Sequence, residues 1–160
     1  MYICKNNHTT MRLLLLLLLF TIPLSADAQA YLYAGNSTYS SDTLYTFDGR
    51  KIYNGRSTYS SDILFTFDGR HLYQGNSTYS SDTVLTFDGS RIYDGRSTYS
   101  SDILFTFDGR YLYRGNSTYS SDILLTFDGR HIYRGRSTYS SDILFTVKGS
   151  FPILFIATLL

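Results

Sequence analysis

Cysteine is all but missing from this chain: the single one, Cys4, stands ahead of the longest apolar run, at residues 13–20. If that leader is removed, the remaining chain has no thiol, which excludes disulfides, thiolate catalysis and cysteine metal sites and argues against a lipid-anchored cysteine. Tryptophan and glutamate are absent and proline occurs only twice. From residue 29 onward twelve Lys or Arg face twelve Asp, so the net charge there is zero. Such a balance gives no general attraction to nucleic acid or to an anionic membrane, whose binders carry a basic face. The same stretch holds only three Ala, while Tyr, Ser, Thr, Ile and Phe abound. These residue types favour strands over helices.

What is present begins with a leader. Met11 and Arg12 precede the apolar run, and a short polar tail then leads to Ala26-Asp27-Ala28. A positive start, an apolar centre and a small-residue end define a secretory signal peptide over residues 1–28. The apolar run is too short to span a bilayer as a helix, which needs about 20 residues. Met11 can serve as the true start, with residues 1–10 as an upstream extension. The expected location is therefore secreted, periplasmic or at the cell surface, with no transmembrane helix in the mature chain.

The rest is a repeat. Six units of twenty residues follow without a gap, beginning at Tyr31, Lys51, His71, Arg91, Tyr111 and His131. Residues 56–70 and 96–110 are identical, RSTYSSDILFTFDGR. Copies that similar must adopt one local structure repeatedly. A longer period lies on top, since Asn36, Asn76 and Asn116 alternate with Arg56, Arg96 and Arg136. The module can thus be three forty-residue pairs.

Within each unit, two strand-like runs flank Asp-Gly, a favoured pair for a two-residue type I′ hairpin turn. Taken literally, that turn sets Phe67 opposite Arg70, Phe65 opposite Leu72 and Ile63 opposite Gln74. One face then collects Ile63, Phe65, Phe67 and Leu72; the other carries Leu64, Thr66, His71 and Tyr73. The first is the expected core. Between hairpins, the Gly-[Asn/Arg]-Ser-Thr-Tyr-Ser-Ser-Asp stretch reads as a hydroxyl-rich turn or bend whose Asp braces the backbone. An isolated hairpin is marginal in water. Residues 29–150 should therefore form an all-β domain of about twelve strands, closed into a propeller-like ring or stacked as a solenoid. The tail, residues 151–160, is almost wholly apolar and reads as an atypical closing strand. It is also long enough to cross a membrane as one β-strand, and a frameshift would produce such a departure from the repeat.

The blocks TFDGRHLYQG and TFDGRYLYRG, an Asp-Gly turn followed by aliphatic-Tyr-x-Gly, resemble those of bacterial secreted tandem β-hairpin proteins of the beta-flower kind. The resemblance covers residues 31–149. It implies a radial set of hairpins of unassigned activity and brings no catalytic residue to carry over. The chain is similar also to the tyrosine-aspartate repeats of shell-forming bacterial toxins, but those place Tyr before Asp where this chain has Phe.

The candidate binding residues lie in the loops. Asn36, Tyr39 and Asp42 recur as Asn76, Tyr79 and Asp82 and as Asn116, Tyr119 and Asp122. An aromatic face beside amide, hydroxyl and carboxylate groups suits a sugar, whose C–H face stacks while its hydroxyls are hydrogen-bonded. The plainer reading is that the loop uses these groups for its own turn. The turn aspartates Asp48, Asp68, Asp88, Asp108 and Asp128 are not spaced for calcium, whose Asp-rich loops cluster carboxylates two apart; Asp62 and Asp68, for instance, are six apart. Arg56, Arg96 and Arg136 suit an anionic glycan or phosphate, or a surface ladder with the aspartates worth about 0 to 1 kcal/mol per pair. His71 and His131 fall at a position that is Lys51, Arg91 or Tyr111 elsewhere, so no two-His metal site is expected. No catalytic constellation and no cofactor is expected either. Asn-Ser-Thr at Asn36, Asn76 and Asn116 matches the N-glycosylation pattern, and Asp-Thr at Asp42 and Asp82 a bacterial O-glycosylation pattern.

These features favour an exported, non-enzymatic module that binds a glycan or a surface protein multivalently. A structural protein that self-assembles at the cell surface or matrix is the alternative, since Tyr-rich, Pro-poor repeats also suit cross-β stacking. A flat Ser/Thr array binding ice is a third.

Overall fold

The computed structural model describes residues 29–160, so the expected signal peptide lies outside the described residues. Twelve strands follow one another: β1 (Ala30–Ala34), β2 (Thr43–Phe47), β3 (Lys51–Asn54), β4 (Ile63–Phe67), β5 (His71–Gln74), β6 (Thr83–Phe87), β7 (Arg91–Asp94), β8 (Ile103–Phe107), β9 (Tyr111–Arg114), β10 (Ile123–Phe127), β11 (His131–Arg134) and β12 (Ile143–Lys148). Each pairs antiparallel with its neighbours in sequence, and β1 pairs with β12, so the sheet closes into a barrel. Closure decides between ring and solenoid and leaves no open strand edge.

Five hairpins are continuous chain, and the sixth is assembled from the two ends. Leu32 pairs with Val147 and Tyr33 with Thr146, the same register as Leu72 with Phe67 and Tyr73 with Thr66. The ring is thus held shut by one hairpin whose turn is missing.

The tight turns differ from the expected type I′ geometry. The observed partners are Phe67 with Leu72, Thr66 with Tyr73 and Phe65 with Gln74, a shift of two residues that leaves the faces unchanged. Among the described residues only glycines have positive φ, with Gly69 at +98°, whereas type I′ needs positive φ at both central residues. The central pair is Gly69-Arg70, and Asp68 stands at the corner instead. Its backbone N–H donates to the carbonyl of His71 at 3.2 Å. Its Oδ1 accepts the N–H groups of Arg70 and His71 at 2.8 and 2.6 Å. The carboxylate is worth more as a double acceptor at the corner than within the turn.

The inner wall is the expected apolar face at Phe65, Phe67 and Leu72, but Ile63 is not part of it: a register shift sets Ile63 opposite Tyr53, on the outer face. Leu32, Ile52, Leu72, Ile92, Leu112 and Ile132 are fully buried and alternate in type around the ring. Their cross-strand partners alternate too from the second unit on: Ile52 with Phe65, Leu72 with Leu85, Ile92 with Phe105, Leu112 with Leu125, Ile132 with Phe145, whereas Leu32 meets Tyr45. The forty-residue period is therefore written into the core as well as the loops.

A barrel of twelve strands is too wide to be filled by its own side chains, and the tail fills it. Residues 151–160 form no closing strand; Ile153–Ala157 is a short helix, α1. Leu154, Phe155, Ile156 and Ala157 are buried in one cluster with the inner wall. Phe155 packs edge-on to Tyr45 of β2 at 4.7 Å and against Phe65 of β4 at 5.8 Å, while α1 also touches β5 and β6. The physical reason is that β1 and β12 already pair with each other, so no edge is free for another strand. Backbone groups entering an apolar lumen must then satisfy one another, which a helical turn does and a lone strand cannot.

Candidate functional site

The outer face of the sheet is covered as well. Tyr33, Tyr53, Tyr73, Tyr93, Tyr113 and Tyr133 and the threonines Thr46, Thr66, Thr86, Thr106, Thr126 and Thr146 are all buried there. Their cover is the long loop of each repeat. In the loop after β3, Gly55 takes a left-handed φ of +62°. That bend returns its carbonyl to the sheet, where it accepts the Thr46 hydroxyl at 2.7 Å. Farther along the loops, Asn116 Oδ1 accepts Arg91 Nε at 3.2 Å, and Thr38 shares a recess with Arg130 and Lys148. The loops therefore lie back along the outside of the barrel toward the tight-turn end.

Each loop is locked by its own polar groups. Ser37 Oγ donates to Asp42 Oδ2 and accepts the Tyr39 N–H at 3.2 Å. The Asp42 N–H donates to the Tyr39 carbonyl at 3.0 Å, closing a turn of 3-10 helix over Ser40–Asp42. The same pattern recurs with Ser57 and Asp62, Ser77 and Asp82, Ser97 and Asp102, Ser117 and Asp122, and Ser137 and Asp142. In the fourth unit the Ser97 and Ser101 hydroxyls draw the Asp102 carboxyl below its usual range.

The result is a ring of presented tyrosines. Tyr39, Tyr59, Tyr79, Tyr99, Tyr119 and Tyr139 are 76–77% exposed, one per repeat. Of the candidate binding residues, Tyr39, Tyr79 and Tyr119 are displayed, and Asn36, Asn76 and Asn116 are also exposed beside them. Asp42, Asp82 and Asp122 are half-buried and hold the loop together, which is the plainer of the two readings. Tyr59, Tyr99 and Tyr139, which the Asn-based pattern leaves out, are displayed equally. The repeated Ser-Thr-Tyr-Ser-Ser-Asp in all six units is the signal that includes them.

The expected Arg–Asp ladder does not form. Among the described residues the ion pairs are His71 with Asp68 and His131 with Asp128, both at 3.0 Å. Apart from exposed Asp94, the described aspartates already have carboxylate oxygens engaged by hydroxyls or backbone N–H groups, and the described arginines form no ion pairs. No cluster of three metal-ligating side chains occurs among the described residues, nor any helix long and apolar enough to cross a membrane.

At the tight turns, the second carboxylate oxygen reaches the buried tyrosine of the same hairpin. Tyr53, Tyr73, Tyr93, Tyr113 and Tyr133 donate their hydroxyls to Asp48, Asp68, Asp88, Asp108 and Asp128 at 2.7–2.8 Å. Burial works against ionisation of Asp68, but the N–H groups of His71 and Arg70, the Tyr73 hydroxyl and the His71 ring outweigh it and hold the carboxyl well below its usual range. Asp88, in the same setting, lies at about 2. Conversely, burial first and the Asp48 carboxylate second push Tyr53 up to about 12. The missing sixth brace falls at the split hairpin, where Lys148 occupies the aspartate's place.

Six antiparallel hairpins, closed end to end and carrying the same loop six times, define a structural repeat ring. The chain belongs to the 6-fold beta flower protein family, whose model matches residues 26–159. No curated protein and no solved structure matches it.

Proposed function

We propose that the chain is an exported binding module that uses its six presented tyrosines to hold a polysaccharide or a glycan-bearing surface. The observation that carries this reading is their near-identical exposure on loops braced by serine and aspartate. A large aromatic left three-quarters exposed contributes little burial to the fold. Repeated on a rigid ring, it offers a stacking face at little ordering cost on binding. Exposed Asn36, Asn76 and Asn116, and in alternate units Arg56, Arg96 and Arg136, supply hydrogen-bond donors alongside. Multiple engagement raises avidity by about 10² to 10⁴ where the geometry allows it.

The test is retention of the mature protein on insoluble polysaccharides. Single Tyr→Ala changes should weaken retention slightly, the combined change at Tyr39, Tyr79 and Tyr119 far more, and the six-fold change should abolish it with the far-UV spectrum unaltered. Absence of saturable binding across a broad glycan panel, with the protein folded and monomeric, would transfer the tyrosines to a protein partner. Assembly between copies would have to run through these tyrosines, because the closed ring has no edge to extend into a cross-β stack. Export is checked by the N-terminus of the protein recovered outside the cytoplasm, expected near Gln29.

A further inference from the structure

Between successive tight turns the ring repeats a shallow recess. Arg50 faces Phe67 and Asp68 in one, and Arg70 faces Phe87 and Asp88 in the next. Both of these recesses bring together one cation, one carboxylate and an aromatic ring. At the split hairpin the same place is occupied differently: Arg130 meets Val147 and Lys148. No turn needs bracing there, so the carboxylate is replaced by a second cation. Among the described residues neither Arg130 nor Lys148 forms an ion pair. The exchange of Phe for Val removes a ring, and the chain beyond Gly149 swings into the lumen. A cleft of about 240 Å³ results, lined by Phe127, Ile132, Val147 and Phe151 with Arg130, His131 and Ser150 at its polar side; the His131 ring is already paired with Asp128. A second recess that shares Arg130 and Val147 adds Thr38 and Lys148.

We infer that this junction is a binding site for a small carboxylate with an apolar body, such as an aryl or branched alkyl acid. The volume exceeds the roughly 150 Å³ that accommodates benzene in an engineered protein cavity. An aryl group with a short side chain therefore fits the apolar part. Its carboxylate then lies between Arg130 and Lys148, with a guanidinium able to grip both oxygens. An apolar cleft with a few convergent polar groups is the usual form of a small-ligand site. At the split hairpin a cation stands where the other hairpins carry the turn carboxylate, whereas at Ser90 only the arginine is exchanged.

Titration with 3-phenylpropionate, followed by ¹⁵N–¹H NMR, tests the inference. Saturable shifts are expected at Gly129, Gly149, Ser150 and Phe151. Acetate, which lacks the apolar body, and 3-phenylpropionamide, which lacks the charge, should each bind at least about tenfold more weakly, the loss expected when a charge-assisted contact or a buried ring is removed. Two variants restore what the other hairpins carry: Lys148→Asp returns the carboxylate and Val147→Phe returns the ring. Both should abolish the shifts while keeping the spectrum of the folded ring. Shifts of equal size at Gly49, Gly69 and Gly109, unchanged affinity in either folded variant, or no saturation would overturn the assignment.

Discussion

At the scale of single residues, the clearest anomaly is a pair of threonines. Thr43 and Thr83 begin β2 and β6 where the other units have Ile63, Ile103, Ile123 and Ile143, and their hydroxyls are buried without a hydrogen-bond partner. An unsatisfied buried hydroxyl costs about 1 to 3 kcal/mol. Thr83→Val keeps the shape and removes that cost, so it should stabilise the ring by about 1 kcal/mol. The measurement is the urea midpoint at constant m-value; a lower midpoint would mean that the hydroxyl has a partner after all. The buried threonines at Thr46 and its equivalents behave oppositely, since each donates to a glycine carbonyl.

At the scale of the hairpin, the aspartate–tyrosine brace ties stability to pH at both extremes. The turn aspartates ionise more readily when folded, Asp88 at about 2 against an ordinary 3.8. Their contribution is complete above about pH 4 and is lost as pH falls toward 2, where the folded carboxylates take up protons. Tyr53 is shifted the other way, from 10.0 to about 12. Its contribution is complete below about pH 10 and is lost as pH rises through 12, because the phenolate would be buried and would stand against the Asp48 carboxylate. Thermal midpoints should therefore stay level between these limits and fall on both sides. Replacing all five tyrosines by Phe should remove the alkaline fall that lies above that of unfolded tyrosine. A profile unchanged by that replacement would show that the hydroxyls do not couple to folding.

At the scale of the whole molecule, the lumen plug joins the hairpins into one cooperative core. Phe155 is 1% exposed and meets rings from β2 and β4. Phe155→Ala should cost about 3 to 5 kcal/mol in chemical denaturation, whereas Arg134→Ala, on an exposed strand end, should stay within about 0.5 kcal/mol. Equal small effects would separate the plug from the cooperative unit. The closed ring also explains why α1 needs no partner strand: its residues are held by side-chain contacts with β2, β4, β5 and β6.

Much of this was legible before folding. The twenty-residue unit, the Asp-Gly turns and the alternation of Phe65, Phe67 and Leu72 with polar neighbours determined twelve antiparallel strands and their inward face, because side-chain direction in a strand has a period of two. Local turn chemistry also pointed to aspartates that brace loops. The register, the fate of the tail and the division between buried and exposed tyrosines were not legible: the first turns on competing uses of Asp68 within its own hairpin, the other two on groups far apart in the chain. Asp68 moved to the turn's corner because Tyr73 and two backbone N–H groups converge on it. Residues 151–160 became a helix because β1 and β12 had used the only free edges, leaving a lumen to be filled. Only closure made one tyrosine in each hairpin a buried anchor under a loop and another a presented face.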